Sequence, residues 1–184
     1  MKASGIGFVS LVLVAGALVA ADDYASAKQK FGQIDGGKLK AGSRVVLTPR
    51  EIEAWVAKEA PAGVRSPRLE LQPGVAKGNA LIDFGKVRRA QGYQPGWLMS
   101  KLLDGERPVS VTARIQSGGG KATVDVQSVE ISGLTVDGKM LDFLIQNFLL
   151  PMYPDAVVGK PFELGNRIDR LDIQPGSVTA IIGK

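Results

Sequence analysis

Cysteine and histidine are both absent from the chain. Without cysteine there are no disulfides and no thiolate metal sites. Without histidine there is no Ser-His-Asp or Cys-His triad, no imidazole zinc site and no ordinary general base near neutral pH. Carboxylates remain, but Asp83, Asp125, Glu130, Asp142, Asp169 and Asp172 are scattered over expected strands and one helix without diagnostic spacing. A glycosidase-type pair would have to form in space. No EF-hand loop or glycine-rich nucleotide fingerprint occurs. Ser117-Gly118-Gly119-Gly120 lacks the following Lys-Ser/Thr and helix of a phosphate loop, and it reads as a hairpin turn. An enzyme is therefore not expected, and neither is a cofactor or a metal.

What is present begins with an apolar N-terminus. Lys2 is followed by an apolar run from Ile6 to Ala21 rich in Val, Leu, Ala and Gly. Small residues then offer cleavage after Val19-Ala20-Ala21 or after Ala25-Ser26-Ala27. This is the pattern of a secretory signal peptide over residues 1–21, with cleavage as late as residue 27 as an alternative. The run is short for a bilayer span, so an anchor through an uncleaved N-terminus is the second reading. No cysteine is there to carry a lipoprotein anchor. Export without disulfides suits a bacterial periplasm better than a small secreted eukaryotic module. Removing Lys2 leaves 22 basic against 18 acidic residues, a formal net charge of +4. These charges are interspersed, as a solvated surface would have them. A basic surface favours peripheral contact with anionic lipid or polysaccharide. Nucleic acid is disfavoured by export and by the lack of a binding motif.

The 184 residues, 45% of them hydrophobic and 22% charged, are enough for one domain with a core. Residues 22–42 are polar and Gly-rich and read as a flexible lead-in, with at most a short helical turn around Tyr24 to Phe31. Arg44 to Leu47 is a short strand. Thr48-Pro49-Arg50-Glu51 is a helix start, with Thr48 as cap and Glu51 returning the bond of a capping box. That helix runs to about Ala60, with Ile52, Trp55 and Val56 on one face and Pro61 and Gly63 as its stop. A hairpin follows: Val64 to Leu71, a Gln72-Pro73-Gly74 turn, and Val75 to Phe84. On its return strand Ala76, Gly78, Ala80, Ile82 and Phe84 share a face, small residues leading into larger ones. Small side chains there let a helix pack close or leave room for something else.

Lys86 to Tyr93 reads as a basic link, and Trp97 to Leu103 as a short helix-like run. A long hairpin comes next, Val109 to Gln116 and Lys121 to Ile131, with Gly133 as a bulge or kink. Asp137 caps a helix to Leu150, halted by Pro151 and Pro154. The chain closes with Pro161 to Leu164 and a last hairpin, Arg167 to Gln174 and Ser177 to Ile182. Two stretches echo each other, R-L-E-L-Q-P-G from Arg68 and R-L-D-I-Q-P-G from Arg170. Turn chemistry alone explains the Pro-Gly, whereas the seven-residue register suggests a duplicated unit. The resulting class is α+β: a strongly curved antiparallel β-sheet wrapped around one or two helices, a single domain over residues 43–184.

The helix after Asp137 is the most apolar part of the chain beyond the N-terminus. At 100° per residue Met140, Leu141, Leu144, Ile145, Phe148 and Leu149 cover one broad arc, wider than a core-facing stripe needs. Phe143 and Leu150 fall on its flank. Such a helix is either sandwiched on most sides or lines an apolar cavity.

L-T-P-R-E-I-E-A-W-V (Leu47 to Val56), G-V-R-S-P-R-L-E-L-Q-P-G-V-A-K-G-N-A-L-I-D-F (Gly63 to Phe84), R-P-V-S-V (Arg107 to Val111), and P-F-E-L with I-D-R-L-D-I-Q-P-G (Pro161 to Gly176) form one ordered set. In hydrophobic pattern and turn placement it resembles the small bacterial periplasmic branch of the tubular lipid-binding (TULIP, BPI-like) proteins, the YceB-like and LmeA-like type. That resemblance implies a bent antiparallel sheet around a helix and a tubular apolar groove for acyl chains, with no catalytic motif to carry over. The expected function is an exported, non-catalytic envelope protein that binds a lipid or other amphiphile in an elongated apolar groove. The alternative is a structural or protein-interaction module whose partner is unknown. The groove would be lined by Trp55, Ile82, Phe84, Trp97, Leu98, Leu141, Leu144, Phe148 and Met152. Arg88 and Arg89 would stand near headgroups or the membrane surface.

Overall fold

A computed structural model describes residues 7–90, 92, 105–151 and 158–184, with side chains from residue 21 onward. Trp97, Leu98, Met152 and the expected run from Trp97 to Leu103 lie outside the described residues. The chain is an α+β protein built on antiparallel sheets, the class expected from its alternating strand segments.

Helix α1 spans Gly7–Asp35. The expected flexible lead-in is helical as far as Asp35, because Tyr24, Ala27, Phe31 and Ile34 recur at helical spacing and have something to pack on. Ala27 and Ile34 are buried. No helix among the described residues is long and apolar enough to cross a membrane. Strand β1 (Arg44–Leu47) leads into α2 (Pro49–Glu59). The capping box forms as read: the Glu51 amide donates to Thr48 Oγ1, and Glu51 Oε2 accepts from the Thr48 amide at 2.8 Å. Gly63 makes the exit turn at φ +109, where a Cβ would stand 2.7 Å from the Asp83 carbonyl oxygen. Only glycine fits there.

Strands β2 (Val64–Gln72) and β3 (Val75–Asp83) form the first hairpin. The basic stretch that reads as a link is instead helix α3, Phe84–Ala90. Asp83 starts it by accepting the Lys86 amide at 2.9 Å, so Phe84 leaves the strand and opens the helix. Strands β4 (Glu106–Gly118) and β5 (Lys121–Ile131) form the long hairpin. Ser132 and Gly133, with φ of 53° and 78°, are not a bulge but the two-residue turn into β6 (Leu134–Thr135). Helix α4 covers Gly138–Leu144 and continues as a π-helical turn over Ile145–Leu149. Asp137 precedes α4 but makes no side-chain cap bond. The chain closes with β7 (Phe162–Glu163), β8 (Ile168–Gln174) and β9 (Ser177–Ile182).

The larger sheet runs β2-β3-β4-β5-β6, with β7 also on β5, and the smaller runs β1-β9-β8. They meet through β8. The Ser117 hydroxyl accepts the Leu171 amide (2.8 Å) and donates to the Leu171 carbonyl (3.0 Å), and the Gly74 amide donates to the Ile173 carbonyl (3.1 Å). Two apolar cores result. One gathers Phe84, Val87, Val109 and Phe148 under α3 and α4. The other joins Ile34 of α1 to Val45 and Ala180 of the small sheet.

Candidate functional site: an apolar cleft between helix and sheet

Helix α2 crosses one face of the large sheet without closing onto it. Its Ile52 and Val56, four residues apart and so on one side of the helix, face Leu69 of β2, Gly78, Ala80 and Ile82 of β3, and Val109 and Val111 of β4 across a cleft of about 240 Å³. The strand residues share a face because cross-strand partners point the same way, Leu69 with Gly78 and Gly78 with Val111. At Gly78 a Cβ would meet nothing within 4 Å. Of the two readings of the small residues on β3, room rather than close packing holds at this position. The same sheet face continues past the cleft through Ala113 and Ile115 of β4 and Val124 and Val126 of β5, all half-buried.

The polar groups stand at the mouth. Glu53 Oε1 accepts the Leu69 amide at 2.7 Å, and Glu53 Oε2 lies 3.6 Å from the Arg68 guanidinium. Behind the roof, α2 is also fixed to α1. Ser26 Oγ and Lys30 Nζ both donate to Glu51 Oε1, and Glu51 is 5% exposed. Burial pushes the Glu51 carboxyl up. Hydrogen bonds from Lys30, Ser26 and the Thr48 amide, with the Lys30 charge, outweigh that and bring it down to about 2. Asp23 pairs with Arg50 at 2.9 Å, and Tyr24 donates to Glu59 Oε1 at 2.7 Å, which raises the phenol.

The groove residues expected from sequence fall into three places. Ile82 lines the cleft. Trp55 turns away from it and packs on Phe31 and Tyr24 of α1, with ring centroids 4.6 and 5.9 Å away. Phe84 and Phe148 meet edge to face at 5.1 Å inside the core at the end of the cleft, with Leu144 against them. Leu141 is half-buried on α4, outside that cluster. Arg88 donates to the Asn147 carbonyl at 3.0 Å and sits over the Phe148 ring, while Arg89 is exposed on α3. Phe143 packs on the core with its ring 6.4 Å from Phe148, although a 100° wheel sets it on the flank. The π turn changes the phase between the two rings.

The cleft's other walls, Ile52, Val56, Leu69, Val109 and Val111, were outside the expected lining. Their signal was present, in the i, i+4 pair on α2 and in the alternation of β4. Only the pairing of β2, β3 and β4 could bring them together. Among the described residues no three acidic side chains gather as metal ligands. No protein-family model matches the chain, and no significant match exists among curated proteins.

Proposed function

We propose that this is an exported cell-envelope protein of non-catalytic function that holds a lipid or other amphiphile in an apolar groove between helix and sheet. The observation that carries the reading is the open floor of the cleft at Gly78, walled by Ile52, Val56, Ile82 and Val111. An interior is normally packed to crystal-like density, so space kept open between apolar walls is space for an apolar guest. Burying such a guest gains about 25 cal/mol for each Å² removed from water. The resemblance to the tubular lipid-binding proteins fits this reading, in which the large sheet wraps around its helices and the apolar N-terminus directs export. Arg89 and other surface cations would then meet anionic headgroups. The test is native mass spectrometry of protein purified from its own envelope, followed by delipidation and reloading. An extractable amphiphile that exchanges back supports the proposal. A delipidated protein that takes up no amphiphile sinks it.

A second reading has its own observation. Leu134 and Met140 are 73% and 53% exposed at the β5–β6 turn and the start of α4, apolar surface that a partner protein would cover. Changing both to Ser should abolish partner capture and spare amphiphile uptake if this docking role is real.

A further inference from the structure

Resting on that proposed reading, we infer that the cleft selects an amphiphile with one hydrocarbon chain and an anionic head, the chain lying along β4 and the head at Arg68. Size comes first. The cleft holds about 240 Å³, below the roughly 300–1,000 Å³ of pockets that enclose larger ligands. A cleft of that volume suits one hydrocarbon chain rather than two side by side. Length comes next. From Val109 to Ile115 the sheet face is apolar at every second residue, a track of roughly 20 Å at 3.3 Å per residue. One leaflet of a bilayer, spanned by a single chain, is about 15 Å deep. The track has ends: the Phe84–Phe148 cluster packs on Val109, and β8 joins β4 at Ser117.

Charge decides the head. Glu53 at the mouth is engaged by the Leu69 amide, and its Oε2 stands 3.6 Å from Arg68, longer than a charge-assisted hydrogen bond. The Arg68 side chain is 71% exposed and donates otherwise to the Pro67 carbonyl at 3.2 Å. A guanidinium has five donors in a planar fork, so Arg68 retains the capacity to take two oxygens of a carboxylate or phosphate in parallel. A trimethylammonium head has no acceptor for that fork, and the Glu53 carboxylate at the same mouth is already engaged, Oε1 by the Leu69 amide and Oε2 by the Arg68 charge.

Tryptophan-quenching titrations and native mass spectrometry of the full chain test this with four probes: hexadecanoate, hexadecyl phosphate, hexadecyltrimethylammonium and vesicles of dioleoyl phosphatidylcholine. One equivalent of either anion should bind about tenfold more tightly than the cation, and the diacyl lipid should not be extracted. The two anions' relative affinity separates a carboxylate from a phosphate as the natural head. Gly78→Leu fills the floor and should weaken both anions about tenfold, and Val56→Phe does the same from the helix side. Arg68→Gln should erase the preference for anion over cation. Thermal melts show that each variant is folded. Equal binding of cation and anion, extraction of the diacyl lipid, or folded Gly78→Leu and Val56→Phe proteins that bind as the parent does would each overturn the inference while leaving amphiphile binding in place. Failure of all four probes to bind overturns both.

Discussion

Glu51 caps its own helix and joins that helix to α1. It accepts from Thr48, Ser26 and Lys30 at once, and this is why its carboxyl falls to about 2 from an ordinary 4.5 although burial works against ionisation. A depressed carboxyl stabilises the fold above its ordinary value, and that contribution is lost as pH falls from about 4.5 toward 2. The loss should be about 3 kcal/mol over that whole window. Urea unfolding at a series of pH values from neutral to 3 should show stability falling across the acid range. In Glu51→Gln that dependence should be shallower, with lower stability at neutral pH. Parallel pH profiles for the two proteins would contradict the assignment. Asp83, held below its ordinary value chiefly by the Lys86 amide, adds a smaller fall in the same direction. The pair Thr48–Glu51 was legible in the sequence because a capping box is local. Lys30 and Ser26 were not, since they come from a helix that a Gly-rich segment concealed.

Among the elements, α4 is the informative case. Its apolar positions were read on a wheel of constant pitch, and the π turn over Ile145–Leu149 breaks that assumption. The Leu150 amide reaches back to the Ile145 carbonyl, and Asn147 Nδ2 donates to the Phe143 carbonyl at 2.8 Å. Arg88 of α3 takes up the Asn147 carbonyl. Asn147 therefore pins the π turn from within and Arg88 from outside. Asn147→Ala should cost about 1 kcal/mol, read as a lower urea midpoint. Amide exchange should quicken around Phe148 before it does in β4. A variant with unchanged midpoint and exchange would show that the turn holds without the amide. Hairpins were read correctly from turn residues and alternation, because those signals are periodic and local. Helix α3 was missed because seven residues are too few to display a period, and Phe84 continues the alternation of β3 by side-chain type alone.

At the level of the molecule, the two Q-P-G hairpins touch. Gly74 of the first donates to Ile173 in the second, and both keep the same pairing across the turn, Gln72 with Val75 and Gln174 with Ser177. The echo in the sequence is an echo in register, and the sheets join where the copies meet. Ser117 closes that joint through a single hydroxyl. Ser117→Ala should cost about 1–2 kcal/mol, and exchange at the Leu171 amide should rise relative to the rest of β8. Protection left intact at Leu171 would place the joint elsewhere. The cleft itself could not be read in advance, since its emptiness is a property of how α2 meets three strands. At its other margin the large sheet ends in β2, whose register breaks between Arg65 and Arg68, with Ser66 at φ 50° and Pro67 beside it. Glu53 then occupies the outward Leu69 amide. A strand so kinked and with its donor already taken is a poor template for another chain. The β2 border thus resists the addition of a second chain's strand beside a half-covered apolar sheet face.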